Sequence, residues 1–157
     1  MKNNQLNKIS GLLFILFVIF SCTPSPEPID YGSDNCAYCK MTIVQKQFGT
    51  ELVTSKGKVY KFDSIECLAA YYLKNRLNQK DVHSIHVTDF NNESKFLNAF
   101  EAVYLFSSNI RSPMGMNLSS FENSQQVQLI LGDKEGKIIE WNEVLALVND
   151  EWLRRGK

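Results

Sequence analysis

The segment Gly57-Lys58-Val59-Tyr60-Lys61-Phe62-Asp63-Ser64-Ile65 recurs in pattern as Gly136-Lys137-Ile138-Ile139-Glu140-Trp141-Asn142-Glu143-Val144. Each copy is a turn glycine, an alternating strand, an aromatic residue, then Asp or Asn opening a helix. Ile65, Leu68, Ala69 and Tyr72 follow at helical spacing in the first copy, and Val144, Leu147, Val148 and Trp152 do so in the second. Asp63 with Glu66 three residues on has the form of an N-cap and capping box. A strand-like run lies upstream of each glycine, at 51–55 and 126–131. Strand, tight turn, strand, helix, used twice, buries its apolar faces in α+β layers. The expected fold is α+β, with two small similar modules on antiparallel hairpins: 34–88, closing on a strand at 82–88, and 89–157. Between the two copies, Phe96, Leu97 and Phe100 suggest a short helix, and 102–106 a strand. Pro113 and Gly115 make 111–117 a loop.

The first residues set the compartment. Lys2 and Lys8 precede an apolar run at 12–20, about nine residues, which is too short to cross roughly 30 Å of hydrocarbon. Residues 1–21 read as a signal peptide. Ile19-Phe20-Ser21-Cys22 has the form of a bacterial lipoprotein cleavage site, with Cys22 as the lipidated first residue of the mature chain. Pro24, Pro26 and Pro28 then alternate, so 22–33 reads as a semi-rigid linker off the membrane. Thr23 follows Cys22 where an acidic residue would retain the protein at the inner membrane, which favours a periplasm-facing anchor in the outer membrane. Removing Lys2 and Lys8 takes the 17 basic residues to 15, against 17 acidic ones. With a slight acidic excess and no basic patch, nucleic acid is not an expected partner.

Cys36-Ala37-Tyr38-Cys39-Lys40-Met41 places two thiols and a thioether within six residues. Such a soft donor set selects monovalent copper. On an extended backbone Cys39 and Met41 share a side, as do Met114 and Met116, so two sulfur pairs can close on one ion from opposite directions. With Cys22 given to lipid, Cys36, Cys39 and Cys67 remain, an odd number that does not complete a disulfide framework. Cys-x-x-Cys keeps three readings. Half of a zinc site lacks a second pair. A redox disulfide belongs before a helix, whereas 42–45 reads as a strand. A structural disulfide would silence metal binding until reduced. Cys67, off the apolar face of its helix, reads as a small buried filler. His83 and His86, three apart in a strand, face opposite sides. No Gly-x-Ser-x-Gly, His-Glu-x-x-His or phosphate-binding glycine loop is present.

Asp34-Asn35-Cys36-Ala37-Tyr38-Cys39-Lys40-Met41-Thr42-Ile43, with Phe48-Gly49-Thr50-Glu51, Tyr60-Lys61-Phe62-Asp63-Ser64, Val87-Thr88-Asp89 and Ser112-Pro113-Met114-Gly115, resembles the NosL family of nitrous oxide reductase accessory lipoproteins. The resemblance implies two ββαβ-type modules and a lipid-anchored copper(I) chaperone. It implies no enzyme activity. Its partners would be nitrous oxide reductase or the transporter complex that assembles it, and its metal residues Cys36, Met41 and Met114, with Cys39 present in many members. The chain departs from the common pattern at Ala37 and Lys40, where members often carry His and Gly. The alternatives to this reading are a thiol–disulfide lipoprotein and a copper chaperone for another cuproenzyme.

Overall fold

The computed structural model describes residues 23–154. The signal sequence and Cys22 lie outside the described residues. Two antiparallel sheets form the frame. The first contains β1 (Thr50–Thr54), β2 (Val59–Phe62), β3 (Val82–Asp89) and β4 (Asn92–Asn98), in the order β2-β1-β3-β4. The second contains β5 (Val103–Phe106), β6 (Leu118–Phe121) and β7 (Lys137–Ile139), in the order β6-β5-β7. Helix α1 (Ile65–Lys74) joins β2 to β3, and α2 (Ser124–Leu131) joins β6 to β7. Helix α3 (Trp141–Leu147) follows β7 and loosens into a π-helical turn, Val148–Arg154.

Both modules therefore have the ββαβ order, with the first strand central between the second and third. The equivalent pieces are β2–α1 and β6–α2. The copies at Gly57 and Gly136 fall instead on β2–α1 and β7–α3, which are not equivalent. The structural repeat is Phe62-Asp63-Ser64 against Phe121-Glu122-Asn123: a strand ends on Phe, and two residues later a small polar side chain caps a helix. Ser64 accepts a hydrogen bond from the Cys67 N–H at 3.3 Å, and Asn123 accepts one from the Gln126 N–H at 3.0 Å.

Four local expectations are corrected by these partners. Residues 126–131 are helix, not strand, because the Asn123 cap starts a turn that buries Val127 and leaves Leu129 in solvent. Residues 96–97 lie in β4, paired with β3 through Val87–Leu97 and Thr88–Phe96, so the expected helix there is absent. Residues 42–45 make a single bridge, Asn35–Thr42, before a 3-10 turn at Lys46–Phe48. The capping box belongs to α3, where Glu140 and Glu143 form it.

One core cluster joins the two modules. Leu52, Phe62, Ile65, Leu68, Ile85 and Val87 of the first pack with Tyr104, Leu118, Trp141 and Val144 of the second. Trp141 is the hinge pin of that core, with Tyr72, Phe100 and Tyr104 rings at 6.2, 6.2 and 6.0 Å. The sheets also join where β3 ends against β6: the Phe90 N–H donates to Ser120 O at 2.8 Å and the Ser120 hydroxyl to Thr88 O at 2.6 Å.

The proline-rich stretch does not stay free of the body. From Glu27 onward it is docked, because the buried Glu51 carboxylate takes the Glu27 N–H at 3.0 and 3.2 Å, and Lys61 donates to Pro28 O at 2.8 Å. Burial lifts Glu51 to about 7, against the Glu27 N–H, which favours the charged form. A carboxyl raised in the fold stabilises it while protonated, and that contribution is lost as pH rises from about 4.5 through about 7. Glu51→Gln should therefore gain about 1–2 kcal/mol over the parent at pH 8 and nothing at pH 4. Urea unfolding of both proteins at the two pH values measures the difference.

Candidate metal centre

The segment 35–42 is a narrow loop pinned at its neck. The Cys36 N–H donates to Met41 O at 2.8 Å, and the Lys40 N–H returns to Cys36 O at 3.1 Å. The Ala37 N–H donates to Lys61 O at 2.8 Å, which docks the loop on the end of β2. Asp34 adds an ion pair to Lys61 at 2.8 Å. Above the loop, Tyr38 packs on Trp152 of the C-terminal turn, ring centres 5.6 Å apart, and the Lys74 ammonium sits 4.9 Å from the Tyr38 ring.

That docking brings Cys36 and Cys39 to the N-terminal turn of α1. The three Sγ atoms of Cys36, Cys39 and Cys67 and a carboxylate oxygen of Asp63 all lie within 4.8 Å of one another. Cys36 and Cys67 are buried, at 1% and 0% exposure, and Cys39 is partly open. All three are free thiols. Cys39 donates to Asp63 Oδ2 at 3.4 Å, while the buried Asp63 Oδ1 has no hydrogen-bond partner. Asp63 is not the helix cap expected from sequence. Ser64 takes that role, which turns Asp63 toward the thiols.

The thiols are electrically unequal. Cys36 is pulled down to about 6 by a hydrogen bond from the Cys67 thiol, then by the backbone N–H groups of Asp63, Cys39 and Tyr38, against the cost of burial. Burial, helped by the neighbouring Cys36 and Asp63, pushes Cys39 up to about 11. Cys67 is raised as well, first by the hydrogen bond it gives Cys36 and then by burial. A single thiolate, on Cys36, is thus stabilised by two neutral neighbours. A soft cation entering the cluster would replace the remaining protons.

The described methionines occupy two loops, 35–42 and 111–117. Met41, at the end of the loop, is 49% exposed. Met114 and Met116 are partly buried against the same core cluster that holds Cys36 and Cys67. Their loop is anchored at α1: the Ser112 hydroxyl donates to buried Glu66, one residue from Cys67, and accepts the Asn117 N–H at 2.8 Å. Burial raises the Glu66 carboxyl. Met116 also borders a groove with Phe106, Leu147 and Glu151. His83 is exposed; His86 stacks on Phe96 at 5.7 Å and pairs with Ser84 at 3.0 Å.

The NosL family profile matches residues 29–148, which spans both sheets and the cluster. The chain belongs to the NosL family. The copper-binding lipoprotein NosL of Stutzerimonas stutzeri is 24% identical over 159 residues, covering 90% of this chain and 83% of that protein. The crystal structure of the copper chaperone NosL from Shewanella denitrificans superposes with a TM-score of 0.65 at 25% identity, covering 76% of this chain and 95% of that one. Against the family pattern, Lys40 now has a physical reading. Its φ of +69° lies in the left-handed region, where glycine is free of strain, and its ammonium donates to Ala37 O at 2.7 Å.

Cys67, which reads in sequence as a core filler, and Asp63, which reads as a cap, both stand beside Cys36 and Cys39. The available signal was Ser64: a serine cap puts Cys67 in the first helical turn, at the end of β2 where Asp63 also sits.

In the reduced apo protein, ultraviolet thiolate absorbance should rise as pH passes about 6. Cys36→Ser should abolish that step, and Cys39→Ser should leave it in place. Lys40→Gly should stabilise the protein by about 0.5 kcal/mol in thermal unfolding, as relief of left-handed strain exceeds the glycine entropy and the lost Ala37 bond.

Proposed function

We propose that this NosL-family chain is a lipid-anchored, periplasm-facing copper chaperone. It carries monovalent copper on Cys36, Cys39 and Cys67 with Asp63 beside them, and passes it toward nitrous oxide reductase or its assembly transporter. The observation that carries this reading is the convergence of three free thiols and a carboxylate oxygen within 4.8 Å. The donor chemistry fits the cargo. Thiolate sulfur suits a soft monovalent ion, and the unpartnered Asp63 Oδ1 leaves one oxygen donor free beside the sulfurs. The names of the relatives from S. stutzeri and S. denitrificans support copper, carriage and lipid attachment. Cys22, the proposed lipidated residue, supplies the anchor.

Transfer by ligand exchange requires one accessible side. Cys39 provides it, since it is the partly open thiol, and the half-exposed Met41 stands two residues on. Cys36 and Cys67 hold the ion from within. An acceptor sulfur or imidazole displaces Cys39 first, and the raised proton affinity of Cys39 draws a proton back as it leaves. Met114 and Met116 are proposed as thioethers of the opposite wall, brought in when the Ser112–Glu66 anchor holds their loop on α1. No covalent chemistry is involved.

A redox function fits this arrangement poorly. An attacking cysteine needs a low pKa and exposure together. Here the low pKa belongs to buried Cys36, and the open Cys39 is raised. A second metal reading does have support: three sulfurs and one carboxylate oxygen complete the four-coordinate set that the Cys-x-x-Cys alone lacked, so a divalent zinc-class ion can also be held.

Anaerobic titration of the reduced protein with monovalent copper should give one equivalent per chain. Cys36→Ser or Cys67→Ser should weaken binding beyond the roughly 10–100-fold that loss of a ligand's neighbour costs, and Asp63→Asn should stay within that range. Undiminished binding in a Cys36→Ser/Cys67→Ser double variant would rule out the site. Zinc displacing copper at equal concentration would favour the second reading. Transfer from the loaded protein to copper-free nitrous oxide reductase, compared with another copper oxidase, tests the client.

A further inference from the structure

The first described residues lie against one end of the first sheet. Thr23, Pro24 and Ser25 share a groove with Ser55, Lys56 and Gly57, the turn between β1 and β2. Because Thr23 is bonded directly to Cys22, an acyl chain on Cys22 starts within one residue of this groove. The turn is stiff: the Gly57 N–H donates to Thr54 O at 2.9 Å, the Thr54 N–H to Lys58 O at 2.8 Å, and Gly57 has a φ of +80°. The stretch 78–81 is tied to it, through Ser55 N–H to Asp81 O at 3.0 Å and Ser55 hydroxyl to Lys80 O at 2.6 Å.

This end is cationic and amphipathic. Lys56, Lys58 and Lys80 are exposed around a cleft floored by Tyr60 and Leu77, with the Lys58 ammonium 4.7 Å from the Tyr60 ring. Arg76 follows the end of α1 just before Leu77, whereas the Lys74 ammonium turns to the Tyr38 ring. The acidic groups at this end are Asp81, whose carboxylate is engaged by the Asn78 N–H at 3.1 Å, and Glu27. Basic groups therefore predominate on an otherwise slightly acidic mature chain.

The thiol cluster sits at the other end of the same elements. Asp63 is five residues past Lys58 along β2, roughly 17 Å at 3.3 Å per residue. Helix α1 has the same polarity along its backbone, with Cys67 in its first turn and Leu77 two residues past its C-cap Asn75.

We propose that the β1–β2 turn is the membrane-facing end of the protein. There Lys56, Lys58 and Lys80 rest on anionic lipid headgroups around the acylated Cys22, and the metal centre is held at the far end, toward the aqueous compartment. The proposal depends on the lipid anchor of the function proposed above. Anionic headgroups attract each juxtamembrane lysine, Tyr60 and Leu77 supply the amphipathic floor that an interface favours, and the docked 27–33 segment keeps the body from swinging round its tether. The acceptor then meets the thiols from the aqueous side without crossing the membrane surface.

The test uses the acylated full chain on vesicles of anionic phosphatidylglycerol that carry a photoactivatable headgroup, with crosslinked peptides mapped by mass spectrometry. Crosslinks should fall on 54–60 and 77–81. Changing Lys56, Lys58 and Lys80 together to Glu, all three exposed, should lower the yield there several-fold, and added salt should lower the parent's yield in the same way. Crosslinks centred on 36–41 or on the second module, or a yield untouched by the triple change, would overturn the proposal. An N-terminal peptide without acyl mass would overturn it too, by removing the tether, while the copper titration of the same preparation reports separately on the thiols.

Discussion

The hydrogen bond from the Cys67 N–H to the Ser64 side chain governs how this chain gathers sulfur at one point. By capping α1 at Ser64, it puts Cys67 in the first helical turn and leaves Asp63 outside the helix, at the tip of β2. The loop carrying Cys36 and Cys39 then needs only one strand-like contact, Ala37 N–H to Lys61 O, to lie beside them. Each of these bonds is worth about 1 kcal/mol. Their effect on the site comes from geometry: they bring the loop of Cys36 and Cys39 and the helix start of Cys67, two separate stretches of chain, within reach of one ion. The core behind them, from Leu52 and Phe62 through Trp141, makes that geometry stiff.

Much of this fold can be read in the chain before any coordinates. The hairpin around Gly57, the helix from Ile65 and the strand at 82–88 follow from turn residues and apolar period. The ββαβ duplication is also there, though the visible repeat joins elements that are not equivalent. Lys137-Ile138-Ile139 and Val59-Tyr60-Lys61-Phe62 look alike because any edge strand leading into a helix alternates in this way. The true correspondence, Phe62-Asp63-Ser64 with Phe121-Glu122-Asn123, is three residues long and conservative in chemistry only. Residues 126–131 were misread because Gln-Val-Gln-Leu alternates like a strand, and only the Asn123 cap decides for helix.

Of the four side chains that converge, two are legible in the sequence. Cys36 and Cys39 announce themselves by spacing. Cys67 does not, because a lone cysteine near a helix start has the same appearance whether it fills a core or faces a ligand. Long-range docking decides between these, and docking is set here by backbone bonds that leave no composition signal. Glu66 is the same kind of case: it resembles a capping residue, yet it is buried and holds Ser112, which ties the Met114–Met116 loop to the helix that bears Cys67.

The proposed copper site is a three-thiolate one, with Cys67 as its third ligand. X-ray absorption of the copper-loaded reduced protein addresses it directly. The expected result is a shell of three sulfurs at roughly 2.3 Å, the reach of a metal–thiolate bond, falling to two in Cys67→Ser. A sulfur shell identical in the parent and in Cys67→Ser would contradict it.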